Sequence, residues 1–406
     1  MKIGVIGGGA AGFFAAIHAK ENHPQAEVLI LEKSQETLSK VKISGGGRCN
    51  VTNACPSISQ LVKSYPRGSK LLKKAFQEFN NQHTLSWFAD RGVAIVAEPD
   101  GRMFPKSNSS QSIIDVFLTE TKRLQIPVIL GAGVKQIIPL EEGFKLKFQR
   151  GREDEHFDKL IIASGGSARK KGLEWMEDLG HKIVEPVPSL FTFNMPKNPI
   201  QKLMGLVAKE VQVSIQGTKL QSEGPLLITH WGMSGPAILK LSAFGARDFA
   251  KMNYEFKVQV NWAKEANQQK MLDKLEALQE EHPKKQLGKL KAIDVPERLW
   301  HFLLAKAELS ADKKMEDLGK KAFNKLTSVL CHDVYEVKGK TTFKEEFVTA
   351  GGVSLESIHP KSMESKVCPG MYFAGEVLDI DGITGGFNFQ AAWTTGYLAG
   401  RLGISA

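Results

Sequence analysis

Three glycines in the spacing Gly7-x-Gly9-x-x-Gly12, with a carboxylate twenty residues further on at Glu32, have the types and positions to hold a dinucleotide. Gly7 permits a tight turn, Gly9 lets the backbone approach a pyrophosphate, and Gly12 lets a helix pack against a strand. Ala10 leads into the helix that Ala11 begins, whose N-terminal N–H groups would face the phosphates. Glu32, with Lys33 beside it, can accept hydrogen bonds from both ribose hydroxyls. Such residues work only if particular elements carry them. The sequence predicts a buried parallel strand over Lys2–Ile6, a helix over Ala11–Lys20 and a second buried strand over Val28–Leu31.

The far end of the chain narrows the choice of nucleotide. Pro369–Glu376 reads as a strand running into Gly375-Glu376. A Gly-rich turn, Asp379–Asn388, follows, and then a helical stretch from Phe389 to Leu402. This arrangement resembles the closing element of FAD-binding flavoproteins. The resemblance implies that Glu376 binds the ribityl chain and that the last helix points its N-terminus at the pyrimidine ring. Reduced flavin is negative near N1 and C2=O, where a helix N-terminus is favourable. Thr384, Gly385 and Gly386 are expected to let peptide N–H groups reach the ring, with Asp379, Phe387 and Asn388 completing the turn. Two further segments join this set. Gly45, Gly46 and Gly47 precede Arg48, Cys49 and Asn50, and a triple glycine suits close approach to a ligand. Arg48 can neutralise phosphate or a flavin anion. Leu160–Gly166 is a buried strand ending at Ala163, Ser164 and Gly165, similar to the Ala-Thr-Gly strand end of FAD domains.

The run Ser44–Asn53, the stretch Thr229–Pro236 and the segment Gly375–Asn388 together resemble the HI0933-like (YhiN/BaiN-like) flavoprotein family over nearly the whole chain. The resemblance implies an α/β fold: a Rossmann-like FAD-binding domain of the glutathione-reductase-like, two-dinucleotide-binding type, interrupted by a β-rich plus helical insertion. It also implies FAD as cofactor, NAD(P)H as a transient electron donor or oxygen in its place as electron partner, and a backbone contact from Val134 to the adenine. Members are described as flavin-linked reductases of enone-type steroids or as amine oxidases. The expected function is an FAD-dependent oxidoreductase acting on a small organic substrate.

Alternating strands and helices run from residue 1 to 187. Within them, Ser69–Arg91 reads as one helix, and Phe144–Phe148 with Lys159–Ala163 are expected to complete the sheet. Pro186, Pro188, Pro196 and Pro199 mark a boundary. A period-two pattern over 188–262 predicts a β-rich insertion. Residues 263–340 read as helical, and 341–406 return to the first domain, with Lys338–Gly352 leading back to the sheet. An insertion of this kind normally builds the substrate side of a cleft.

Composition excludes several classes. The net charge is +10, but the stretch 263–325 holds 14 basic and 11 acidic residues, the pattern of solvated helical faces. That reading argues against a nucleic-acid partner. No apolar run reaches membrane-spanning length, and strand structure begins at the first residues, so a cytoplasmic protein without a signal peptide is expected. Oligomeric state is left open. Four scattered cysteines exclude a disulfide framework. Cys49 and Cys55 have five intervening residues where disulfide reductases have four, and a second Gly-rich fingerprint is missing, which argues against a redox dithiol. No metal-ligand spacing occurs. Arg48 and His230 are the candidate catalytic side chains, although the Ser-Gly-Pro after His230 reads equally as a helix start. Two alternatives stay open: an RNA-linked flavoprotein, and a regulatory flavin-binding protein without turnover.

Overall fold

The computed structural model describes residues 1–149, 151–265, 267–341 and 348–404. The chain divides into two compact units, Met1–Ser189 with Lys344–Ala406, and Leu190–Phe343. The first unit is built on β1 (Lys2–Ile6), α1 (Ala10–Asn22), β2 (Glu27–Leu31), α2 (Ser69–Glu78), β3 (Val128–Ile129), β4 (Lys159–Ile162), β5 (Met371–Phe373) and α3 (Phe387–Gly400). Its five-stranded sheet has the order β5-β4-β1-β2-β3, with every pairing parallel. The central strands are continuous apolar runs because helices cover both faces of such a sheet. Ile3 and Val5 are fully buried, as are Phe13, Phe14 and Ile17 of α1. Each such side chain contributes about 1.5–3 kcal/mol of burial.

Two local expectations are corrected. The stretch Ser69–Arg91 is two helices, Ser69–Glu78 and Asn81–Ala89. Asn80 breaks them by accepting from the Gln82 and His83 N–H groups, while the His83 side chain accepts from the Asn80 N–H. This capping box outcompetes continuation of the helix. Phe144–Phe148 does not join the parallel sheet. It lies between Val134–Pro139 and Glu155–Phe157 in a three-stranded antiparallel sheet. The return segment Lys338–Gly352 lies partly outside the described residues. Its last part, Val348–Val353, pairs antiparallel with Ile183–Ser189.

In the second unit, seven antiparallel-paired strands drawn from Thr192–Asn194 through Lys340–Thr341 form one sheet. The β-rich and helical stretches share a single core, in which Val258 and Val260 pack in one cluster with Trp300, Leu303 and Leu326. Among the described residues no helix is long and apolar enough to cross a membrane. None of their His, Cys, Asp and Glu side chains forms a group able to hold a metal ion.

One buried titratable group predicts an acid limb. His18 sits among Phe14, Phe79, Trp87 and Tyr397, and burial pushes its pKa down to about 3. The unfolded chain protonates this histidine near pH 6.5 and the folded one does not. Stability is therefore lost as pH falls from 6.5 toward 3, by at most about 1.4 kcal/mol per pH unit. His18→Phe should flatten that limb in denaturant titrations at pH 4, 5 and 7. An unchanged pH profile would show that His18 is not the source.

Candidate functional site

The fingerprint glycines adopt the geometry that their spacing requires. Gly7 has φ +115°, and a side chain there would strike the Ala163 carbonyl oxygen at 2.3 Å. A side chain on Gly12 would lie 1.9 Å from the Gly7 carbonyl oxygen. A side chain on Gly9, Gly46 or Gly165 would meet no protein atom within 4 Å. The first pair serves the fold, and the other three leave open space beside backbone. Gly9 is the N-cap of α1, with no capping side chain and no acidic residue in the first turn. Ala10 and Ala11 open that helix, which suits a phosphate supplied from outside.

Glu32 follows directly on β2. Its Oε2 accepts the Gly8 N–H at 2.7 Å, and its Oε1 accepts the Ser34 N–H and hydroxyl, both at 2.8 Å. Beside it is a cavity of about 490 Å³, within the range of small-molecule sites. Gly7, Glu32, Lys33, Val134, Ser164 and Gly165, all anticipated in the sequence, line it. The fourth wall was not anticipated. Lys171 and Trp175 close it, and Trp175 is fixed by an Nε1–H bond to the Gly172 carbonyl at 2.9 Å. Residues 167–178 carry no motif, so only tertiary structure brings them here. Ala163 sits behind the cavity, its N–H bonded to Ile6.

The C-terminal segments form a second cluster. Asn53 donates to the Gly385 carbonyl at 3.0 Å, and the Tyr65 hydroxyl donates to that of Phe387 at 2.7 Å. Asn388 closes the turn on itself, accepting from the Gly382 N–H and donating to the Gly382 carbonyl. Its amide therefore staples the loop. Thr384 is exposed at the tip. Arg67 makes a two-point ion pair with the fully buried Asp381, which also accepts from Ser189. Gly386, with φ +90°, differs from the sequence-based expectation. A side chain there would meet the Thr52 carbonyl oxygen at 2.3 Å and the Asn50 Oδ1 at 2.8 Å. Backbone packing, rather than clearance for a ligand, requires this glycine. α3 begins at the turn with Gly386 as N-cap, no capping side chain and no acid in its first turn.

Several expected ligands already have protein partners. Glu376 accepts the Thr349 N–H at 2.8 Å and pairs with Lys40 at 2.8 Å. Gly375 donates to the Thr395 hydroxyl. Asp379 donates its N–H to the Val353 carbonyl. Arg48 pairs with Glu98 at 2.7 Å and lies 3.9 Å over the Phe104 ring, so it is held against protein. Gly45 and Gly47 continue the left-handed backbone on either side of Gly46. Burial pushes the Cys49 thiol up to about 12, and burial also raises the Cys55 thiol. Neither is poised as a thiolate. Cys55→Ser should keep flavin reduction and turnover within about twofold. Loss of turnover together with loss of a thiolate–flavin charge-transfer band would establish a redox pair. His230 is exposed in the second unit, its ring 4.2 Å from that of Trp231, and Pro236 opens the helix Pro236–Phe244 soon after.

The parallel sheet, the fingerprint loop, the ribose-type carboxylate and the returning strand–turn–helix define a Rossmann-like FAD-binding domain carrying an insertion. The residues present fit that cofactor, with two uncapped helix N-termini and open glycine surface beside a nucleoside-sized cavity. The family model of the HI0933-like protein Rossmann domain matches residues 1–402, and the chain belongs to this family of flavoprotein oxidoreductases. It is 28% identical to a 3-dehydro-bile acid delta(4,6)-reductase of Clostridium scindens, over 98% of both chains. It is also 28% identical to a ribosomal RNA dihydrouridine synthase of Escherichia coli, over 99% of this chain and 98% of that one. A similar solved structure is 3-ketosteroid-delta4-(5alpha)-dehydrogenase from Rhodococcus jostii. It has a TM-score of 0.52 at 12% identity, covers 98% and 95% of the two chains, and speaks to fold alone.

Proposed function

We propose that this chain is an FAD-dependent reductase of carbon–carbon double bonds conjugated with a carbonyl, with NADH or NADPH as electron donor and a small organic enone as substrate. The observation that carries the reading is the convergence of Gly7, Glu32, Val134 and Ser164 on one cavity, with the uncapped α3 terminus on the returning element. The two curated relatives support the reaction class. Saturating a delta(4,6) system in a 3-dehydro bile acid and making dihydrouridine from uridine both add two hydrogens across a double bond activated by a carbonyl.

When bound, FAD supplies hydride chemistry between the nicotinamide donor and the substrate. The chain would do the rest. Glu32 holds the adenosine ribose, with Lys33, Val134, Ser164 and Gly165 around the nucleoside. Gly9, Ala10 and Ala11 present the α1 terminus to the pyrophosphate. Gly46, Asn50, Gly385 and Gly386 place backbone beside the flavin ring, and the positive end of α3 favours negative charge there. In this reading residues 1–187 and 341–406 form the FAD-binding domain. Glu376 would exchange Lys40 for a ribityl hydroxyl.

The test is anaerobic mixing of purified protein with NADH and then NADPH, followed by a 3-oxo-4-ene steroid. Flavin bleaching by a donor and reoxidation by the enone are expected. Bleaching with no reoxidation by any conjugated carbonyl compound would overturn the substrate class. A second reading has its own support in the dihydrouridine synthases of Escherichia coli and Haemophilus influenzae, which are 28% and 27% identical. In that reading the activated double bond belongs to a uracil ring in RNA.

A further inference from the structure

Positive charge is far from evenly spread. Residues 37–77 contain eight lysines and arginines and no Asp or Glu, which leaves a net +2 for all the rest of the chain. The near balance of basic and acidic residues seen over 263–325 therefore does not hold over this stretch. Three of the eight have acidic partners: Lys40 with Glu376, Arg48 with Glu98 and Arg67 with Asp381. Lys63, Lys70, Lys73 and Lys74 are exposed, and none forms an ion pair among the described residues.

The last three stand on one short helix. α2 buries Leu71, Leu72, Ala75 and Phe76 and turns its lysines outward. Lys70 is three residues from Lys73 and four from Lys74, so the like charges face each other and repel. Lys70 also lies in the first turn of the helix, where the macrodipole disfavours cations. α2 has no acidic residue in its first turn to offset this. Folding alone gives no reason for such an arrangement, and an anionic partner does. The ridge is anchored to the candidate site. The segment that leads into α2 accepts the Ile383 N–H at Ser64, donates from Tyr65 to Phe387 and pairs Arg67 with Asp381. All three bonds go to the turn that the proposed function places beside the flavin.

We propose that Lys63, Lys70, Lys73 and Lys74 form a docking ridge for the phosphate backbone of a single-stranded RNA segment, presenting a uracil to the site. The inference rests on the second reading above. A single-stranded backbone suits a row of separate ammonium groups, because binding then scales with the number of phosphates neutralised.

The experiment compares the wild-type holoenzyme with Lys70→Gln/Lys73→Gln/Lys74→Gln and with the corresponding triple Glu variant. All three sites are exposed, and flavin content checks the fold. Binding of a fluorescently labelled, uridine-containing single-stranded RNA is read by anisotropy across a salt series. Wild-type affinity should fall with salt. The Gln variant should bind about tenfold or more weakly, with a log–log salt slope shallower by about 2, close to 0.7 per lost phosphate contact. Bleaching by the nicotinamide donor should not change. If the variants bind RNA like wild type, the ridge is not the docking surface. If wild type binds no RNA yet reduces a small enone, this inference falls while the enone reading stands. If RNA binding is lost in the variants but nothing is reduced by any donor, the ridge stands and the reductase reading falls. If the variants instead need more NADPH for bleaching and keep RNA affinity, the ridge serves the nucleotide donor and the proposal is overturned.

Discussion

Gly12→Ala should leave the protein with little or no FAD. The added methyl would sit 1.9 Å from the Gly7 carbonyl oxygen and 3.1 Å from its carbonyl carbon. Both are backbone, so no side-chain rotation relieves the overlap. Either α1 moves off the sheet or the Gly7 turn opens. Gly7 has little room of its own, because a Cβ built on it would lie 2.3 Å from the Ala163 carbonyl oxygen. Overpacking of this kind costs about 1–3 kcal/mol and sometimes more. Here the strain falls on the loop that the proposed function places at the pyrophosphate. Purified Gly12→Ala should therefore carry less than about a tenth of wild-type flavin, with a lowered melting temperature. Full occupancy with unchanged melting would mean that the loop is more plastic than its packing indicates.

Glu32→Ala should weaken FAD binding while the fold survives. The carboxylate would lose two ribose hydrogen bonds, each worth about 1.5–3 kcal/mol when one partner is charged. A tenfold loss requires only about 1.4 kcal/mol, so the dissociation constant should rise by at least that factor. Glu32 also holds the Gly8 and Ser34 N–H groups, so the alanine variant loosens the loop as well. Glu32→Gln keeps one of the two loop acceptors and loses the charge toward the ribose, so it should fall between wild type and alanine. An unchanged dissociation constant in both variants would remove Glu32 from the nucleoside site.

The cavity half of the candidate site is legible in the sequence because it is largely local. Gly7, Gly9, Gly12 and Glu32 lie on consecutive elements, where spacing alone fixes geometry. Val134 and Ser164 are further away, yet each ends or begins an apolar strand and so can be placed. Trp175 and Lys171 have no such signal, and only tertiary folding brings their segment to the cavity. Gly386 shows a different limit. Its type was legible, but its reason was not, because the Thr52 carbonyl that excludes a side chain comes from more than 300 residues away. The partners of Arg48 and Glu376 were hidden for the same reason. The lysine ridge is the opposite case. Its acid-free run stands plainly in the sequence, and only the structure shows which of its charges have acidic partners.

The most direct measurement is the identity of the flavin itself. Purified protein, reconstituted with flavin if needed, should be yellow and should release its chromophore on heat or acid denaturation. Chromatography and mass of the supernatant should then show FAD, bound without a covalent link and in about one-to-one ratio, since the proposed adenosine cavity and flavin turn belong to one chain. Release of FMN, or failure to retain any flavin after reconstitution, would contradict the account at its root.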